Sequence, residues 1–145
     1  METKKSSFPT EELMKLLNQA DSFEQFCRLH ADKLADISTA DYLTLLLSDH
    51  KMTKQQVIEQ ANLERSSGYQ IFSGIRHPRR DTLLRIAIAM RLTLSETQRL
   101  LKVAQRGELY PKNRRDAAMI YCIEHRRDMI EAELLLQSIG EPSLK

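Results

Sequence analysis

The stretch from Met52 to Leu94, MTKQQVIEQANLERSSGYQIFSGIRHPRRDTLLRIAIAMRLTL, most narrows what this chain can become. Thr53 and Gln56 have the spacing of a capping box, and Val57, Ile58 and Ala61 follow at helical intervals. Asn62 favours a turn. A second helix is expected over 64–73, stopped by Gly74, and Pro78 prevents its continuation. Asp81 or the arginine before it opens a third helix, with Leu83, Leu84, Ile86, Ala87 and Met90 as its apolar residues. This order props one short helix on a packed base and leaves one of its faces outside.

The remainder of the chain reads the same way. With 41% hydrophobic and 29% charged residues the balance is globular rather than disordered. Only 4 Gly and 4 Pro interrupt a sequence rich in helix formers, so the expected fold class is all-α. Upstream, Thr10 can cap a helix carrying Leu13, Leu16 and Leu17. Ser22 with Gln25 can cap a second, whose stripe is Phe23, Phe26, Cys27 and Leu34. Ser38 or Thr39 starts a third, with Tyr42, Leu43, Leu46 and Leu47 inward.

The C-terminal part repeats. RRDTLLRIAIAMRLTLSETQRLLKVAQRGEL begins at Arg79 and RRDAAMIYCIEHRRDMIEAELLLQSIGEPSL at Arg114, an offset of 35 residues. Identical positions include Arg79/Arg114, Arg80/Arg115, Asp81/Asp116, Glu96/Glu131, Leu100/Leu135 and Leu101/Leu136. The capping box recurs as Thr93 with Glu96 and Asp128 with Glu131, and Gly107 and Gly140 act as stop signals. Each copy therefore reads as a helix, a turn and a helix, with the second hairpin packed on the first. Two copies are too few for a free-standing helical array. The expected organisation is an N-terminal helical extension over 1–37, a central domain over 38–106, and a C-terminal hairpin over 107–145 that repeats 79–109.

Charge is unevenly spread. Residues 1–50 hold 5 Lys/Arg against 9 Asp/Glu, residues 51–80 hold 6 against 2, and residues 81–145 hold 11 against 9. The basic segment coincides with the propped helix, which hints at a polyanion partner. Reading DNA needs a helix narrow enough for the major groove, polar residues at its leading end, and phosphate contacts that fix its entry. Arg65, Ser66, Ser67, Tyr69 and Gln70 supply candidate base contacts, with Arg suited to guanine and Gln to adenine, while Ile71 points back to the core. Lys54 and Gln55 sit where a helix start can meet phosphate, and Arg76, His77, Arg79 and Arg80 flank the turn after Gly74.

At these residues Thr53 to Leu94 resembles the Cro/repressor-type helix-turn-helix of the XRE superfamily. The likeness lies in Thr53, Arg65-Ser66, Ile71, Gly74, Pro78, Thr82-Leu83-Leu84-Arg85-Ile86-Ala87 and Leu92-Thr93-Leu94-Ser95-Glu96, and with the preceding helix it spans about 38–104. It implies a lambda-repressor-like helix-turn-helix core over 38–106 and sequence-specific binding of double-stranded DNA as a transcriptional regulator. It further implies a homodimer on palindromic sites. The sequence departs from the family pattern where Glu64 replaces a small hydroxyl cap, where Gly68 replaces a core aliphatic, and where Phe72-Ser73 precede the stop glycine. Lys54 stands for a phosphate-touching glutamine and keeps the donor.

Blander readings stand beside these. The polar residues of 64–73 can be ordinary solvated surface. Arg79-Arg80-Asp81 can be a helix-start signature, since it recurs at Arg114-Arg115-Asp116. The fold can also serve as a protein-interaction module without DNA, or as an antitoxin-like repressor whose N-terminal helical pair or C-terminal hairpin docks a partner protein. Met119, Ile123, Met129 and Leu136 are the hairpin residues offered to a dimer or partner, or to the core.

Other chemistries lack their motifs. His30, His50, His77 and His125 share no ligand spacing with one another or with Cys27 and Cys122, so no metal is expected. Phosphate loops and nucleophile elbows are absent from the sequence, and neither an enzyme nor a cofactor is expected. The cysteines read as buried free thiols, and without an apolar span or export signal a cytoplasmic, membrane-free protein is expected.

Overall fold

The structure, a computed structural model, describes residues 10–25 and 37–145. The chain divides into two compact units, 1–37 and 38–145. Among the described residues the regular structure is helical, without strands. No helix among them is long and apolar enough to cross a membrane.

In the first unit, α1 runs Thr10–Gln19 with Glu11 and Glu12 in its first turn, which suits the positive helix end. Leu13 and Leu16 are half-buried and Leu17 is exposed, and no residue of α1 is fully buried. The Ser22 hydroxyl accepts from the Gln25 backbone amide at 3.1 Å, as the capping pattern requires, and residues 23–25 are helical. Phe26, Cys27 and Leu34, expected on the same stripe, lie outside the described residues.

The second unit is built from seven labelled helices. Ser38 caps α2 (Thr39–His50), which buries Tyr42, Leu43, Leu46 and Leu47. Both hydrogen bonds of the Thr53/Gln56 capping box hold the start of α3 (Lys54–Gln60), and Val57 and Ile58 are buried. After a turn in which Asn62 takes φ +57°, α4 covers Arg65–Ser73. Its expected first residue, Glu64, sits one step outside as the cap. Gly74 ends α4 at φ +87°, a conformation that strains side-chain-bearing residues. The later helices are α5 (Arg80–Ala89), α6 (Leu94–Val103), α7 (Arg114–Glu124) and α8 (Met129–Ser138).

The core centres on α5. Leu83, Leu84, Ile86, Ala87, Ile88 and Ala89 are all buried, as expected of a helix enclosed on every side. It packs on α3, α6, α7 and α8. Arg85 departs from this pattern: its Nε donates to the Ala61 carbonyl at 3.1 Å and Nη2 donates to the Asn62 carbonyl. The α3–α4 turn is thus tied to the central helix, which fixes the base of α4.

The repeat is visible in three dimensions. Arg80 sends two parallel bonds to Asp116, each 2.9 Å, and also donates to the carbonyls of Gly107 and Glu108. Arg115 sends two to Asp81, at 2.9 and 3.1 Å, and donates to the carbonyls of Pro142 and Ser143. Every partner in the second set lies 35 residues from its counterpart in the first. Gln98 holds both backbone groups of buried Leu109, and Glu133 accepts from the amide of buried Leu144. The two hairpins are therefore arranged about an approximate two-fold axis.

One expectation changes here, and one open alternative is decided. Arg80 does not stand free beside the turn; its bidentate bond to a buried carboxylate commits the guanidinium. Of the two places considered for them, Met119, Ile123 and Leu136 take the core of this unit, and Met129 is half-buried. The large apolar side chains that residues 107–145 expose are Tyr110, Tyr121, Ile130 and Leu134. Cys122 is a buried free thiol, and burial pushes its pKa up.

Candidate nucleic-acid interface

The short helix α4 is held to its base by Ile71 and Phe72, both buried. Gly68 lies on the same side. A methyl group placed on it would meet three carbons of the Ile58 side chain at 2.7–3.0 Å. The flexible residue in the helix interior therefore has a packing reason: it lets α4 settle against α3 more closely than any other residue permits.

The opposite side of α4 is open. Arg65, Ser66 and Tyr69 are exposed, and Ser67 and Gln70 are half-buried. The Arg65 guanidinium lies over the Tyr69 ring at 6.0 Å, the outer range of a cation–π contact. At the leading end the Glu64 carboxylate accepts from the backbone amides of Ser67 (2.9 Å) and Ser66 (3.2 Å). The Ser67 amide chiefly, with the Ser67 side chain, the Ser66 amide and the charge of Arg76, holds this carboxyl below its usual range. The unusual cap fills the role of the expected hydroxyl, and places a negative charge at the tip of the helix.

Around α4 the expected phosphate donors are found as follows. Lys54 and Gln55, at the start of α3, are exposed, and Gln55 reaches Glu59 at 3.4 Å. Arg76, His77 and Arg79 are exposed on the turn between α4 and α5. That turn is anchored by buried Pro78, whose carbonyl accepts from Arg106 Nε at 3.0 Å. Arg79 occupies the cap position of α5 without a side-chain capping bond. Arg80 is occupied by Asp116, as above.

Two features were missed from the sequence. Arg76 Nε donates to Gln70 Oε1 at 3.1 Å, which uses one of the two lone pairs of the amide oxygen and orients the side chain. A glutamine in that state keeps its NH2 donors and one lone pair, so the donor-and-acceptor pair that adenine requires stays within its reach. The six-residue separation across a glycine stop gives no periodic signal for this pair. Ile75, 74% exposed, stands beside the same basic turn. Its position directly after the stop glycine, off any helical stripe, was the available signal.

Among the described residues no group of three His, Cys, Asp or Glu could hold a metal ion. The chain matches no family model, no curated protein and no solved structure.

Proposed function

We propose that this protein binds double-stranded DNA in a sequence-specific manner, as a transcriptional regulator of the Cro/repressor helix-turn-helix type, with α4 in the major groove. The observation that carries this reading is the two-sidedness of α4: Gly68, Ile71 and Phe72 lock one side, while Arg65, Ser66, Tyr69 and Gln70 line the other. Exposed Lys54, Gln55, Arg76, His77 and Arg79 flank that open side and supply phosphate donors. Arg65 reads guanine, and Gln70, oriented by Arg76, reads adenine.

Binding measured across salt on a randomised duplex pool tests this. Affinity should fall steeply as salt rises. Arg65→Ala should cost about 1–3 kcal/mol at one base position. Lys54→Ala should weaken all sequences alike and reduce the salt slope by about one. Duplex affinity that is weak and insensitive to salt would refute the reading.

A specific observation favours a second reading, a protein-interaction module on the same fold. The Glu64 carboxylate is exposed at the tip of α4, with Ile75 exposed beside the turn. A negative tip and a bare isoleucine suit a protein surface better than a phosphate ladder. The same salt series separates the two.

A further inference from the structure

In a two-fold interface each contact occurs twice with the roles exchanged, so one surface carries both halves of it. The packing of hairpin 79–109 on hairpin 114–144 has this form inside one chain. Arg80 pairs with Asp116, and Arg115 with Asp81. Arg91 Nη1 donates to the Arg126 carbonyl at 3.0 Å, and these two residues are themselves equivalent, at φ +55° and +54°. The cleft between the hairpins is lined by Ala87 and Cys122, Ile88 and Ile123, Arg91 and Arg126, and Leu92 and Arg127, four pairs at the repeat offset.

Hairpin 79–109 thus holds by itself everything this interface uses. It has the arginine and the aspartate, Arg80 and Asp81, for an exchanged pair, and an arginine and carbonyl at position 91. Where the second hairpin places Arg127 in the cleft, the first has Leu92, which makes the first copy the more apolar of the two. We propose that the face of 79–109 covered by the C-terminal hairpin is a self-association surface, and that its other occupant is the same hairpin of a second copy of this chain. Two copies would form Arg80–Asp81 pairs in both directions across Ala87, Ile88 and Leu92.

In the closed chain the hairpin 114–144 holds this face, and the short connection 110–113 keeps it at high effective concentration. Self-association is then reduced by the fraction of chains that are open. Weakening the internal pair without touching 79–109 should release it. Full-length Arg115→Asp sets two carboxylates against each other at Asp81 and leaves Arg80 and Asp81 in place.

The measurement is molar mass by light scattering over a concentration series up to about 1 mM, the effective-concentration scale of a short tether. The expected result for Arg115→Asp is a mass doubled relative to wild type, at concentrations about tenfold or more below those at which wild type associates. Adding Asp81→Arg restores an opposite-charge pair inside the chain and sets a second guanidinium beside that of Arg80, so the mass should return to the wild-type value. If Arg115→Asp loses its helical circular dichroism, Arg115→Ala, which brings in no like charge, takes its place with the same readout. Masses that stay at the wild-type value in the variants that keep their helicity overturn the proposal. So does a doubled mass that Asp81→Arg fails to reverse. Neither readout involves DNA, so failure here leaves the groove-reading proposal standing, and the converse holds as well.

Discussion

Hairpins 79–109 and 114–144 share their opening Arg-Arg-Asp, their capping boxes and their buried leucines, but their neighbours differ. On α6 of the first copy, Glu96 bonds to His50 at 3.0 and 3.1 Å, and the Arg99 guanidinium lies over the Tyr42 ring at 5.9 Å; both partners belong to α2. On α8 of the second copy the equivalent positions are Glu131, exposed, and Leu134, 59% exposed. Local code repeated in the sequence thus yields the same hairpin twice, while side chains that leave the hairpin are set by what packs on it. The first copy is a structural wall of the α4 platform, and the second is a cover for the first.

The largest expected effect separates the two halves of the exchange. Asp116 is buried and accepts from Arg80 and from the Tyr110 amide, whereas the Asp81 side chain is 38% exposed. Asp116→Ala takes the carboxylate from Arg80, which keeps the Gly107 and Glu108 carbonyls, and also the acceptor from the Tyr110 amide, and should cost roughly 3 kcal/mol. Asp81→Ala, nearer solvent, should cost about 1 kcal/mol. Urea denaturation of each variant checks the order, and equal losses would mean that the two ends of the axis are equivalent after all.

The same carboxylate gives a pH dependence. Burial alone would raise the pKa of Asp116, but the Arg80 and Tyr110 hydrogen bonds and the charges of Arg80 and Arg115 hold it below its ordinary value. A depressed folded-state pKa contributes stability that is fully present above the unfolded value of about 3.9. That contribution is lost as pH falls through the folded value. Stability followed by urea denaturation from pH 6 downward should therefore drop more steeply below about pH 4 in wild type than in Asp116→Asn.

Smaller effects should be matched between the copies. Thr93→Ala and Asp128→Ala each remove the side-chain half of a capping box whose geometry is the same, 3.1 Å to Glu96 N and 2.9 Å to Glu131 N. Each should lower stability by about 1 kcal/mol. A marked difference would show that helix starts in the two hairpins feel more than their own caps.

What could be read in advance follows the same division between local and long-range. Caps, stops and apolar stripes are encoded within a few residues, so the α3 and α4 boundaries, the Thr53/Gln56, Thr93/Glu96 and Asp128/Glu131 boxes, and the buried Ile71 were legible. Arg80 was not, because its partner Asp116 lies 36 residues away and nothing in a surface-like Arg-Arg-Asp tells a phosphate donor from an internal clamp. Gly68 looked like a weakness of the helix and proved to be the place where Ile58 comes closest, a fact of packing that only coordinates supply. At the candidate interface the exposed Arg65 and Tyr69 follow from periodicity, and Lys54, Arg76 and Arg79 from their places at a helix start and a turn, while the Gln70–Arg76 bond depends on how the chain turns after Gly74.

The smallest expected effect bears on whether neighbours alone distinguish the copies. His50→Ala removes the partner of Glu96 across a partly exposed contact and should cost about 0.5–1 kcal/mol. Leu134→Arg makes the second copy carry the side chain that the first has at Arg99. The site is exposed and opens on a cavity lined by Glu59, Gln60 and Asn62 rather than on a tyrosine ring, and stability should change by no more than about 0.5 kcal/mol. Urea denaturation of the two variants reads both numbers. If Leu134→Arg were instead destabilising by more than about 1 kcal/mol, that leucine would be bearing on the hairpin itself, and the difference between the two copies would be internal rather than imposed by what surrounds them.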